Sequence, residues 1–134
     1  MTSITPHSSI RYSQKTLDRA ERAVRCAPFR LKFYATMLTK SVSLLAVAGI
    51  LGIRHQYSKR AVTEIIAEGE LLWLIQVGLL RREVDGQGLT DSFRLTPLGH
   101  QLVARWYNSG RTDLQPSWSD RFHNALSRWF RLPF

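Results

Sequence analysis

The sequence predicts a mainly α domain that carries one small β-hairpin, an extra helix at its N-terminal end and an amphipathic helix at its C-terminal end. Three observations carry this reading. Apolar residues recur at helical spacing through most of the chain, as in Leu17, Ala20, Ala23 and Val24. One segment breaks that rhythm at Asp85-Gly86-Gln87-Gly88, whose residues tolerate the positive φ of a hairpin turn. The length, 134 residues, suits one core with short appendages.

Residues 1–12 hold Ser, Thr, Pro and His without period and are expected to form a mobile arm. Ser13 is placed to cap a first helix, which Pro28 ends by restricting the residue before it and donating no hydrogen bond. Phe29, Phe33, Ala35, Met37 and Leu38 supply a second helix. Ser41 or Ser43 caps a short apolar helix from Leu44 to Ile50. There Ala48, Gly52 and Ile53 follow the spacing of a helix-turn-helix corner, in which the glycine is expected to take positive φ.

Ser58 is expected to cap the next helix. Val62, Ile65, Ile66, Gly69, Leu72, Trp73, Gln76 and Val77 read as its buried stripe. The face opposite runs Arg60, Glu64, Ala67, Leu71 and Ile75, with Glu68 beside it. That placement leaves Leu71 and Ile75 in water. Gly78 suits the residue after the helix end. Leu80 to Val84 and Asp91 to Leu95 read as the hairpin strands, and Thr96-Pro97 as a cap and first residue of a helix built on Leu98, Leu102, Val103 and Trp106. Residues 13–107 thus form the domain, 108–117 a linker and 118–134 a final amphipathic helix.

Charge and chemistry narrow the function classes. The net charge of +9 favours a polyanionic partner. Residues 1–40 carry eight basic and two acidic side chains, whereas residues 41–110 carry seven and six. Cys26 is the one cysteine, which leaves no intrachain disulfide and no cysteine-based zinc site. The four histidines, His7, His55, His100 and His123, have no ligand spacing, and the serines sit in caps rather than in a nucleophile elbow. Neither catalysis nor a cofactor is expected. No apolar segment follows a basic start, and Val42 to Ile53 is about half the length of a membrane span. A cytoplasmic location is expected, with a peripheral place at a membrane surface left open.

The string Gly78-Leu79-Leu80-Arg81-Arg82, the Asp85 to Gly88 turn and Phe93-Arg94-Leu95-Thr96-Pro97-Leu98-Gly99 resembles the winged helix-turn-helix superfamily. The likeness is strongest to small bacterial regulators of the marR and padR kind, and covers about residues 43–107. The whole chain is also similar to an uncharacterised family of small cyanobacterial proteins. The superfamily resemblance implies DNA binding, with the Ser58 helix in the major groove and the Gly86-Gln87-Gly88 wing at the minor groove or backbone. Tyr57, Ser58, Lys59 and Arg60 would then lead the reading helix beside His55 and Gln56. Arg81, Arg82 and Arg94 would contact phosphate, with Gln87 at the wing tip.

Two other partner classes stay open. Trp118, Phe122, Leu126 and Trp129 form one stripe of the final helix, with Arg121, Asn124, Arg128 and Arg131 away from it. An aromatic stripe beside arginines suits an anionic membrane surface or the groove of a protein partner. The preferred reading instead folds the stripe back over Leu71 and Ile75 to complete the core. A homodimer through the terminal helices is the third possibility.

Overall fold

The computed structural model of the chain describes residues 11–110 and 115–130. Most of the expected arm, His7, part of the linker and Arg131 lie outside the described residues. Helix α1 (Gln14–Cys26) starts where expected, since the Ser13 Oγ accepts the Thr16 N–H at 3.1 Å. It buries Ala20, Ala23 and Val24, side chains small enough for neighbouring helices to approach closely. Helix α2 (Leu31–Thr36) follows, and its Phe33 and Tyr34 join Phe29 in an aromatic cluster with adjacent centroids 5.0 and 5.1 Å apart.

The expected helix from Leu44 to Ile50 is in fact broken into two short helices, preceded by a two-residue strand. Strand β1 (Val42–Ser43) leads into α3 (Leu44–Val47), whose cap is Ser43. Helix α4 (Gly49–Arg54) follows. The chain bends at Gly49, at φ +58°, so the positive φ expected of Gly52 belongs to Gly49 instead. Gly52 is required for a different reason. A Cβ there would overlap the Val47 carbonyl, with the Ser58 Oγ close by at 2.6 Å.

The connection after α4 corrects the position of the next helix. Ser58 caps nothing: it is buried, and its Oγ donates to the Val47 carbonyl at 2.7 Å. The chain on either side is tied to the turn after α1, through Arg30 N–H to Tyr57 O and Lys59 N–H to Pro28 O, both at 2.8 Å. Helix α5 (Glu64–Gln76) therefore begins at Thr63, whose Oγ1 accepts the Ile66 N–H.

The face of α5 is only partly the one expected: Val62, Trp73 and Val77 of the expected stripe are buried, but the rest of that stripe is not. Ala67, Leu71, Trp73 and Leu74 are buried, whereas Ile65, Ile66 and Leu72 are exposed, Ile65 to 82 %. Apolar residues occupy both faces of this helix, so periodicity alone does not say which turns inward. Ala67 faces the core, where a small side chain lets α5 come close to its neighbours.

Gly78, at φ +88°, turns the chain out of α5 as expected. Strands β2 (Leu80–Asp85) and β3 (Gly88–Leu95) form the hairpin, longer than the sequence suggested and irregular between Arg82 and Val84. Asp85 Oδ1 accepts the Gln87 N–H at 2.7 Å and shapes the turn. Strand β1 pairs with β3 (Val42 with Phe93, Ser43 with Ser92), giving an antiparallel sheet in the order β1-β3-β2. Helix α6 (Pro97–Asn108) has the expected Thr96 cap and buries Leu102, Val103 and Trp106. Helix α7 (Trp118–Phe130) packs on α1 and reaches α5.

Candidate interaction surfaces

Two surfaces collect most, but not all, of the residues that the sequence singled out. The first is made by the outer face of α5 and the hairpin. Ile65, Glu68, Leu72 and Gln76 follow one another along that face. Glu68 reaches across to the hairpin, its Oε2 lying 3.7 Å from Arg82. Beyond Arg82 on the same strand, Val84 pairs across the hairpin with Leu89, and both side chains are exposed. An apolar rim with acidic groups thus lines the angle between helix and hairpin.

The hairpin arginines are largely engaged within the protein. Arg82 bonds Asp91 at 3.2 Å, and its guanidinium stands 5.1 Å from the Phe93 ring centroid. Arg94 bonds Glu83 at 2.9 Å. A hydrogen bond with Ser41 and the Arg94 pairing together hold the Glu83 carboxyl below the usual carboxylate range. Arg81 and Gln87 are exposed.

The expected leading residues of the reading helix lie elsewhere in the fold. Tyr57 is half-buried against Phe33 and His55, and Ser58 is buried. Lys59 turns its Nζ to the Arg25 carbonyl at 3.4 Å. Arg60 is exposed. None of the four is in α5.

Arg60 and Lys59 instead share a cleft of about 260 Å³ with Arg25, Cys26, Pro116 and Arg121, between the end of α1 and the start of α7. Burial pushes the Cys26 thiol up, and Asp120 adds to the effect. Arg25 already holds Glu21 at 2.7 Å and Asp120 at 3.7 Å.

The second surface is α7, which lies the opposite way round from the preferred expectation. Its polar face packs inward. The Trp73 indole donates to Asn124 Oδ1 at 2.9 Å, Ser127 is fully buried, and the Arg128 guanidinium bonds both Glu70 oxygens at 3.2 Å. Arg128 also donates to the Gly69 carbonyl. The stripe does not cover Leu71 and Ile75, which lie within the domain. Trp118, Phe122 and Trp129 are exposed to 88, 62 and 82 %, while Leu126 is half-buried. Arg121 is exposed on the stripe's flank.

The polar interface that orients α7 escaped the sequence reading. Its available signal was the spacing of Asp120, Asn124, Ser127 and Arg128, which share the face opposite the aromatics. Among the described residues no group of His, Cys, Asp and Glu could hold a metal ion, and no helix is long and apolar enough to cross a membrane.

A family model described as Npun_F0494-like matches residues 10–128, in agreement with the whole-chain resemblance. No curated protein and no solved structure matches.

Proposed function

The chain belongs to the Npun_F0494-like family, and we propose that it is a winged-helix interaction module, a non-enzymatic domain that docks a protein through the face with which that fold enters DNA. The order helix, strand, helices, hairpin, with the sheet arranged β1-β3-β2, supports the winged-helix reading. Within it α5 takes the place of the reading helix and residues 85–88 that of the wing tip.

One observation carries the preference for protein over DNA: the outward face of α5 presents Ile65, Glu68 and Leu72. Base edges are read by Arg, Lys, Asn and Gln, and a phosphate backbone repels carboxylates. Helix α5 holds three glutamates and no cation. Ile65, Leu72, Val84 and Leu89 in water are instead the kind of apolar surface that marks a protein contact. A partner that offers apolar anchors and cationic groups for Glu64 and Glu68 fits this face.

The test places a photocrosslinking residue at Ile65 or Val84 in the full chain, in its own cell, with Lys32 on α2 as the remote control. A discrete protein adduct at the first two positions and none at Lys32 is the expected outcome. Equal labelling at all three would remove the docking face.

DNA binding is the second reading, favoured by the exposed Arg60 and Arg81, by Gln87 at the hairpin turn and by the net charge of +9. It calls for affinity that falls steeply with salt and drops when Arg81 and Arg82 become alanine. Fluorescence anisotropy with duplex DNA at low and moderate salt separates the two. Sequence-selective binding that survives moderate salt and needs those arginines would favour DNA.

A further inference from the structure

Helix α7 is fixed to the body by its polar face, which leaves its apolar stripe in water. From Trp118 to Trp129 the stripe runs about 16 Å, at about 1.5 Å per residue. Phe122, Ala125, Leu126 and Trp129 line a shallow, mostly apolar cleft of about 210 Å³ along it. Exposed indoles of this kind suit a boundary between water and hydrocarbon, because an indole is apolar over most of its surface and polar at one N–H.

Charge selects the partner. The one carboxylate of α7, Asp120, is turned inward towards Arg25, and Glu70 below the helix is bonded by Arg128. The exposed charge beside the stripe is positive. Arg121 stands on its flank, and Arg60 shares with Arg121 the cleft at the start of the helix. Neither has an ion pair among the described residues. A guanidinium beside an aromatic face matches a phosphate headgroup above acyl chains. A neutral apolar groove would leave the two arginines without a partner.

We infer that α7 is an in-plane anchor for an anionic bilayer. Trp118, Phe122 and Trp129 enter the headgroup boundary, and Arg121 and Arg60 meet lipid phosphates. The rigid attachment of α7 to α1 and α5 makes the anchor part of the domain, so membrane binding orients the whole body. This surface is distinct from the α5 face, and either can fail without the other.

The test is flotation of the full chain with vesicles of phosphatidylcholine alone, or with phosphatidylglycerol in about equal parts. The chain floats with the anionic vesicles, stays behind with the neutral ones, and is released by salt. Trp118→Ala with Trp129→Ala lowers the bound fraction by about tenfold or more. The melting temperature hardly changes, because both rings are exposed. Fluorescence gives a second readout. Trp73 and Trp106 are buried, so a blue shift on vesicle binding comes from Trp118 and Trp129 and vanishes in the double variant. Phe122→Ser, a single change on the same stripe, weakens flotation in the same direction. Absence of flotation, or equal flotation of the wild-type and double-variant proteins, would overturn the anchor. So would light scattering in which the double variant merely dissolves a dimer, since the stripe would then be a surface between copies of the chain.

Discussion

Replacing Arg128 with alanine tests whether α7 is held by its polar face. The guanidinium makes two hydrogen bonds to the Glu70 carboxylate and one to the Gly69 carbonyl, all at 3.2 Å. It also lies 6.0 Å from the Trp73 ring centroid. A hydrogen bond to a charged group contributes roughly 1.5–3 kcal/mol when well buried, while a fully exposed ion pair contributes under about 1 kcal/mol. Both side chains are partly exposed, so the loss falls between these limits, at about 1–2 kcal/mol. Removing it leaves Glu70 only partly buried, so the carboxylate regains water and adds little further penalty. The cost falls on the docking of α7 and not on the core beneath. Native-state hydrogen exchange reads the difference: α7 amides exchange about tenfold faster, and α6 amides keep their protection. Glu70→Gln, combined with Arg128→Ala, should produce less than the sum of the two separate effects. Unchanged α7 exchange in Arg128→Ala, or equal loss of protection in α6, would refute a locally clasped helix.

The remaining predictions concern the core, the orientation of α5 and the hairpin. Gly52→Ala forces a methyl into the Val47 carbonyl and should destabilise the fold by about 3 kcal/mol, seen as a lower urea midpoint. Leu71→Ala should cost about 3 kcal/mol, while Ile65→Ser shifts stability by under about 0.5 kcal/mol. The reverse ranking would put the other face of α5 inward. The Ser41 hydrogen bond and the Arg94 pairing hold the folded pKa of Glu83 below its ordinary value, so its pairing stabilises the protein above the unfolded pKa. That contribution is lost as pH falls through the folded value. Glu83→Gln should therefore flatten the acid limb of the stability profile, and an unchanged limb would show that the pairing with Arg94 and Ser41 contributes nothing.

What the sequence revealed follows the range over which each signal acts. Ser13, Ser43 and Thr96 were legible as caps because a cap is a bond between a side chain and an N–H three residues on. The Asp85 to Gly88 turn and Gly78 were legible for a similar reason: positive φ is a local demand. Ser58 has the residue type of a cap, yet a partner at Val47 claims its hydroxyl, and only tertiary structure brings the two together. Strand β1 has two residues, too few for a period of two to declare itself, and exists because β3 offers an edge. The inward face of α5 is decided by Ala67, whose small size matters only once the neighbouring helices are in place.

The two functional surfaces were obscured by the same cause, since a residue type does not reveal which way its charge is used. The hairpin holds three arginines, but Glu83, Asp85 and Asp91 match them in number, and Arg82 and Arg94 are bonded within the protein. With Glu64 and Glu68 added from α5, this side of the molecule carries more carboxylates than arginines, although the chain carries +9. The basic excess belongs to other elements. On α7 the reversal concerns apolar groups: a helix is ordinarily expected to bury its aromatics, but Asn124, Ser127 and Arg128 each find a complementary place on the domain. Turning the helix over would bury Trp118 and Trp129 while leaving the Trp73 indole N–H and the Glu70 carboxylate without Asn124 and Arg128. Polar complementarity therefore fixes the orientation, and the aromatics face outward as a consequence. An outward stripe enforced in this way persists in water without a partner, as the proposed anchor requires.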